Sequence, residues 1–387
     1  MIKPGPLAAT FACVKGLDRP FQTGNYFQKG RKPMIARFLK TGCLCGAMIL
    51  AATSGRTEEK KSPLTLDLGN GVSVTFYGYV KADFISDDGY ELGDTTGAIR
   101  SIGLPGGPAA GSFDTATLRE TRIGFNINGP DDVFAKFEGD FYGPNDNLRL
   151  RHAYLDWKGV LIGQNWTNFM SVENLAPTVD FQGSGALPFA RVPQLRYTFD
   201  PSSNIKFSAS VEEDIANSSD VMLTAALRYG FDLGMVRASA LWRDTTIGGT
   251  PVDGWGLSLA TVLKPWQGGQ VQFAVTTGDG AVDILGAGLS GTAVVLGGGP
   301  VGFDSAALSI SQKIGDKLRL AVTGSWVSLD RSVGTDTSEL ETVHLSAFYE
   351  VFRNTTLMAE YFTGQRTQAN GIDFDTDRVQ LAVKFAF

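Results

Sequence analysis

Arg149 and Arg151 stand two residues apart in the run Leu148-Arg149-Leu150-Arg151-His152-Ala153-Tyr154, so an extended chain sets both guanidinium groups on one face. A guanidinium binds a carboxylate through two parallel hydrogen bonds, and two of them on one wall would favour anions. Other side chains able to do chemistry are scarce. The histidines are His152 and His344, distant in sequence, and no Gly-x-Ser-x-Gly motif supplies a hydrolytic nucleophile. Cys13, Cys43 and Cys45 cannot join them in a Cys₄ or Cys₂His₂ metal cluster. A net charge of -6 gives no basic footprint for nucleic acid. Gly286-Ala287-Gly288-Leu289-Ser290-Gly291 has the letters of a dinucleotide fingerprint, but no βαβ unit surrounds it, and it reads as a flexible loop. No cofactor, metal or enzymatic reaction is implied.

The elements that must position the arginines alternate with a period of two. Val72, Val74, Phe76, Val80, Ala82 and Phe84 oppose Ser73, Thr75, Tyr77, Tyr79, Lys81 and Asp83. Val236, Ala238, Ala240 and Trp242 oppose Arg237, Ser239 and Arg243, and Val379 to Phe387 alternates in the same way. Sixteen such segments follow one another, at 72–84, 115–128, 133–142, 148–157, 160–166, 192–199, 204–212, 220–229, 233–243, 253–263, 270–278, 303–312, 317–328, 341–351, 355–364 and 376–387. Short turns and mostly longer loops alternate between them, with 85–114, 167–191, 279–302 and 329–340 among the long ones. An even number of amphipathic strands wired in this way predicts an all-β, sixteen-stranded antiparallel transmembrane β-barrel of porin type over 72–387.

The N-terminus is read separately. Met34 is followed by Arg37 and Lys40, an apolar run from Cys43 to Ala52, and small residues suited to cleavage near Ser54. Residues 34–54 are therefore expected to be a cleavable signal peptide, 1–33 an upstream over-annotation, and 55–71 a short periplasmic segment. All three cysteines leave with the signal. So do eight basic residues and one acid, which takes the net charge from -6 to -13. Aromatic residues near strand ends, among them Trp157, Tyr197, Phe199, Tyr229, Trp242 and Trp255, suit interfacial girdles. Phe387, an outward aromatic at the last position, has the character of an assembly signal for the outer-membrane insertion machinery.

Several strings carry a family resemblance: Tyr77-Gly78-Tyr79-Val80-Lys81, Arg122-Ile123-Gly124-Phe125, Lys136-Phe137-Glu138-Gly139-Asp140-Phe141, the run from Leu148 to Tyr154, Gly163-Gln164-Asn165-Trp166-Thr167-Asn168-Phe169, and Pro193-Gln194-Leu195-Arg196-Tyr197-Thr198. They resemble the DcaP-like family of trimeric outer-membrane porins, in family order, between residues 77 and 198. The resemblance implies a sixteen-stranded homotrimer among outer-membrane lipids that passes small, often anionic, organic solutes. A long helical segment known before the barrel in that family has no counterpart in the few residues between the expected cleavage site and the first strand.

A sixteen-strand barrel encloses water, and the charges lining it set selectivity. Strand parity turns Arg122, Lys136, Arg196, Lys206, Arg228 and Arg237 inward, with Lys81, Arg319 and Arg378, against acids such as Asp83, Glu120, Glu138, Asp140, Glu212, Glu350 and Glu360. The strand of Arg149 and Arg151 is ambiguous. Facing both inward sends Leu148, Leu150, His152, Tyr154 and Asp156 outward. The reverse turns two arginines toward lipid at about 2–4 kcal/mol each in mid-bilayer, so inward is expected. The loop 167–191, carrying Glu173, Asp180 and Arg191, is a candidate constriction. The function expected is passive diffusion of small hydrophilic solutes, with anionic organic solutes such as carboxylates favoured. The alternatives are a selective channel with a defined anion-binding constriction and, more remotely, a barrel enzyme.

Overall fold

The computed structural model describes residues 64–287, 289 and 294–387. The expected signal peptide and the residues before it lie outside these. The amphipathic segments form one antiparallel ring. In chain order its strands are β1 (Val72–Tyr90), β2 (Ala110–Thr117 continued by Arg122–Asn128), β3 (Val133–Asp140), β4 (Arg149–Trp157), β5 (Val160–Trp166), β6 (Arg191–Ser202), β7 (Ile205–Glu213) and β8 (Val221–Phe231). They continue as β9 (Gly234–Ile247), β10 (Thr250–Leu263), β11 (Gly269–Asp279), β12 (Gly302–Ile314), β13 (Leu318–Leu329), β14 (Thr337–Phe352), β15 (Thr355–Gln368) and β16 (Asp373–Ala386). Each pairs with the next, and β16 pairs with β1, so the sheet has no free lateral edge.

The seam is completed at both chain ends. Phe387 exchanges backbone hydrogen bonds with Gly78 of β1, where an added Cβ would meet the Arg122 carbonyl and the Phe387 ring. Below it a short strand, Thr65–Gly69, pairs with the start of β1 and continues the place of β16. Part of the segment 55–71 is thus strand.

Alternation sorts the side chains physically. Along β8, Val221, Leu223, Leu227, Tyr229 and Phe231 are exposed on the outside while Met222, Thr224 and Ala226 are buried within. Trp157, Tyr197, Phe199, Tyr229 and Phe231 lie toward the turn end of the barrel, and Phe84, Trp242 and Trp255 toward the loop end. Exposed leucines and valines fill the belt between them, the dress of a lipid-facing wall. Leu257 sits in that belt, 52% exposed. Leu257→Arg is expected to cost about 2–4 kcal/mol in folding equilibria measured in lipid vesicles.

Four local features depart from the simple alternation. β1 and β2 run further into the first long loop than the pattern indicated, to Tyr90 and from Ala110. The connection after β9 closes as a two-residue hairpin at Gly248-Gly249 (φ 57° and 84°), whose positive φ values suit the twist of the flanking strands. β2 is interrupted at 118–121, where the Thr121 hydroxyl bonds the Lys81 backbone in place of the ladder. In β4 the register against β3 shifts between Glu138↔His152 and Gly139↔Leu150, leaving Arg151 as an extra residue. That bulge corrects the parity expected for this strand. Arg149 and Arg151 face inward above it, and His152, Tyr154 and Asp156, expected outside, face inward below it. The Gln164 side chain donates to the Leu150 and Arg151 carbonyls that the bulge leaves unpaired.

Candidate functional site: a loop-narrowed lumen

The loop 167–190 enters the barrel and is fastened across its interior. At its start the Thr167 hydroxyl (2.5 Å) and Asn168 N–H (2.7 Å) bond the Glu212 carboxylate of β7. Arg237 of β9 donates to the Asn168 carbonyl at 2.7 Å. Further on, Asn174 donates to the Thr261 and Phe273 carbonyls of β10 and β11, and Gln272 donates back to Glu173 and Leu175. Glu173, half-exposed, pairs with Arg228 of β8 at 3.1 Å.

The tip reaches the far wall. Glu360 of β15 accepts the Val179 and Asp180 N–H groups, and also holds His344 and Ser346 of β14. Asp180, 2% exposed, takes the Thr96 N–H and hydroxyl from the loop after β1 and Arg378 from β16. Arg378 in turn holds Asp87 through two hydrogen bonds at 2.7 and 3.0 Å. Lys81 donates to the Val179 carbonyl and pairs with Asp83 and Glu120.

The described residues in and around the glycine-rich run 286–291 are packed. In the loop 280–301, Val282, Ile284, Leu285, Ala287, Leu289 and Val294 are buried against inward apolar residues of β8–β14, among them Met222, Leu241, Val252 and Phe303. Gly288 and residues 290–293 lie outside the described residues. Loops 167–190 and 280–301 are stitched by backbone bonds from Gly286 to Leu187, Ala287 to Gly185 and Phe189 to Ile284, each 2.8 Å. The lumen beside β8–β14 is therefore filled by an apolar plug, and open space lies toward β1–β7.

That space includes two chambers, about 430 Å³ on the loop side and about 500 Å³ on the turn side. Both are bordered by Phe181, Gln182 and Phe189, so the narrow point lies beside this trio. The wall opposite is basic. Arg149 forms a bidentate pair with Asp140 (2.9 and 2.7 Å), and Arg151 bridges Glu138 (2.8 Å) and Asp140 (2.9 Å). Arg122 and Lys136 each approach Glu138 at 3.5 Å. Two carboxylates thus organise four cations on this wall, while the two chambers together are lined by as many acids as bases. The cations also lie over aromatic faces: Arg149 and Arg151 over Phe181, Arg122 over Tyr79 and Lys136 over Tyr77. Arg191 stacks on Trp166 at 4.8 Å, and its Nη1 is buried without a hydrogen-bond partner.

Of the sequence-predicted residues, the structure gathers Arg122, Lys136, Arg149, Arg151 and Arg191 along the passage. Arg196 donates to the Trp166 carbonyl at its margin, and Arg228 and Arg237 hold the loop. Lys206 is at the turn-side rim, paired with Asp200 at 2.8 Å, with Arg319 exposed at the same end. Glu173 and Asp180 are anchors more than lining charges, and Phe387 is at the seam. Sequence reading did not single out Lys384, which lines the turn-side chamber over Tyr79, nor Thr96, Phe181 and Gln182. Lys384 could have been found from the alternation of its strand; the loop residues could not.

A closed, sixteen-stranded transmembrane barrel with a lumen narrowed by an inserted loop is the architecture of a porin. The solved structures of similar fold agree. The outer membrane channel DcaP of Acinetobacter baumannii has a TM-score of 0.72 and 24% identity, covering 82% of this chain and 98% of that one. An anion-selective porin from Comamonas acidovorans (TM-score 0.59, 13% identity, 82% and 100% covered) and OmpT, an outer membrane protein of Vibrio cholerae (0.56, 14%, 82% and 98%), share the fold. No family model and no curated protein sequence matches the chain.

Proposed function

We propose that this protein is an outer-membrane porin, working as a homotrimer, that gives passive diffusion of small hydrophilic solutes and favours anionic organic ones such as carboxylates. The observation that carries the reading is the passage beside Phe181, Gln182 and Phe189, faced by Arg149, Arg151 and Arg191. A permeating carboxylate meets guanidinium groups held by buried acids and aromatic faces, so the donors are oriented in advance. The unpartnered Nη1 of Arg191 favours the stronger form of this reading, a defined anion-binding constriction. The fold has a precedent described as an anion-selective porin.

An enzymatic reading finds no support in the histidines. The Ser346 hydroxyl and His344 Nδ1 both turn to Glu360, which holds the loop tip, and His152 packs edge-on against Trp166. The test is planar-bilayer recording of the purified protein under a potassium chloride gradient. Channels opening in groups of three and reversing toward the chloride potential are expected. Reversal toward the potassium potential would refute the anionic preference, and the absence of conductance would refute the porin.

A further inference from the structure

The loop-side chamber is basic on one part of its lining and acidic on another. Arg191 enters it with an unpartnered Nη1 and, among the described residues, no carboxylate in ion-pair contact. Asp214, 1% exposed, and Asp283 line the same chamber. Asp214 Oδ1 accepts the Ala216 and Asn217 N–H groups and lies 3.5 Å from Arg243, and Asp283 Oδ2 accepts from Arg243 at 3.0 Å. One guanidinium thus serves two carboxylates, and the other oxygen of each, Asp214 Oδ2 and Asp283 Oδ1, is buried with no partner. Burial pushes the Asp283 carboxyl above its usual range against the pull of Arg243, with Asp214 pushing the same way. A cation arriving at the two acids would relieve that cost.

We infer that the loop-side chamber binds solutes carrying both a carboxylate and an ammonium group, the carboxylate at Arg191 and the ammonium at Asp214 and Asp283. The inference rests on the porin reading and narrows it. An anion alone leaves the Asp214–Asp283 pair unsatisfied, and a cation alone leaves Arg191 so. A dipolar solute answers both within one cavity of about 430 Å³.

The experiment measures the block of single-channel current by 6-aminohexanoate, hexanoate and hexylammonium, each added on the loop side of the full chain. Charge-assisted hydrogen bonds at both ends predict that 6-aminohexanoate binds about tenfold more tightly than either singly charged probe. Asp283→Asn should lower the ratio of 6-aminohexanoate to hexanoate affinity about tenfold, by loss of one end only. Arg191→Gln should weaken both carboxylates together and leave that ratio within about twofold, because both use the same donor. Should Asp283→Asn fail to fold, Asp214→Asn is read in the same way, and the three probes on the wild type stand alone. A conducting wild type that does not distinguish the probes, or an unchanged ratio in the aspartate variants, would overturn the inference and leave the porin standing. A protein without conductance would overturn both.

Discussion

Asp180→Ala is expected to raise single-channel conductance severalfold. The side chain is buried and joins three parts of the molecule: the loop after β1 through Thr96, its own turn through the Gln182 and Gly183 N–H groups, and β16 through Arg378. Removing one member of a buried ionic network costs about 3–5 kcal/mol, because the partners stay buried without compensation. The Asp180–Arg378 pair has no solvent exposure on either side. Glu360 still holds the Val179 and Asp180 N–H groups and Lys81 the Val179 carbonyl, but Asp180 is the tie to the loop after β1 and to β16. Release of the tip moves Phe181 and Gln182 away from the basic wall and widens the narrow point. Asp180→Asn keeps an acceptor for Thr96 and should fall between. Unchanged conductance in Asp180→Ala would show that the tip does not set the aperture.

The second large effect concerns charge. Arg149→Gln with Arg191→Gln should shift the chloride-to-potassium permeability ratio about tenfold toward potassium, or about 1.4 kcal/mol. A unit charge about 8 Å from a passing ion is worth about 2 kcal/mol at an effective dielectric near 20, and two such charges are lost. Glu213, Asp214 and Asp283 remain on the lining of the same chamber and then dominate it. The shift should shrink as salt rises and the Debye length falls to a few ångströms. Reversal potentials measured at two ionic strengths check both statements; a ratio unmoved at low salt would place the selectivity elsewhere, with Arg122, Lys136 and Lys384 the next residues to examine.

Much of the wall was legible because lipid on one side and water on the other impose a period of two on every strand. All sixteen segments read from the alternation are strands. The bulge at Arg151 was not legible, since parity is a local property whereas a bulge is defined by the register of two strands. Its effect was visible only as a conflict: no single parity could place Arg149, Arg151, His152 and Asp156 all away from lipid. The plug escaped for another reason. Residues 284–303 carry no charge, and their glycines suggested flexibility. Yet Ile284, Leu285 and Val294 are apolar in a loop, and Met222, Leu241 and Val252 are apolar at inward positions. Each set needs the other for burial, a complementarity that emerges only when strand faces and loops are considered together. The loop 167–190 is similar: Asn174 is satisfied by backbone carbonyls of β10 and β11, which leave no trace in side-chain spacing, and Thr167, Asn168 and Asp180 by side chains distant in sequence.

The meeting of Gly78 with Phe387 carries a consequence for biogenesis. The partner of β1 is β16, made after the fourteen strands between them, so a chain that stops before β16 cannot seal its own margin. Until β16 is present, the margins of the sheet leave unpaired amides and carbonyls open to any other extended polypeptide. Closure is in this way a long-range event: a chain that lacks β16 presents adhesive borders, whereas one that carries it can hide them, and a chaperone or protease that recognises such borders needs no knowledge of the sequence to tell the two apart.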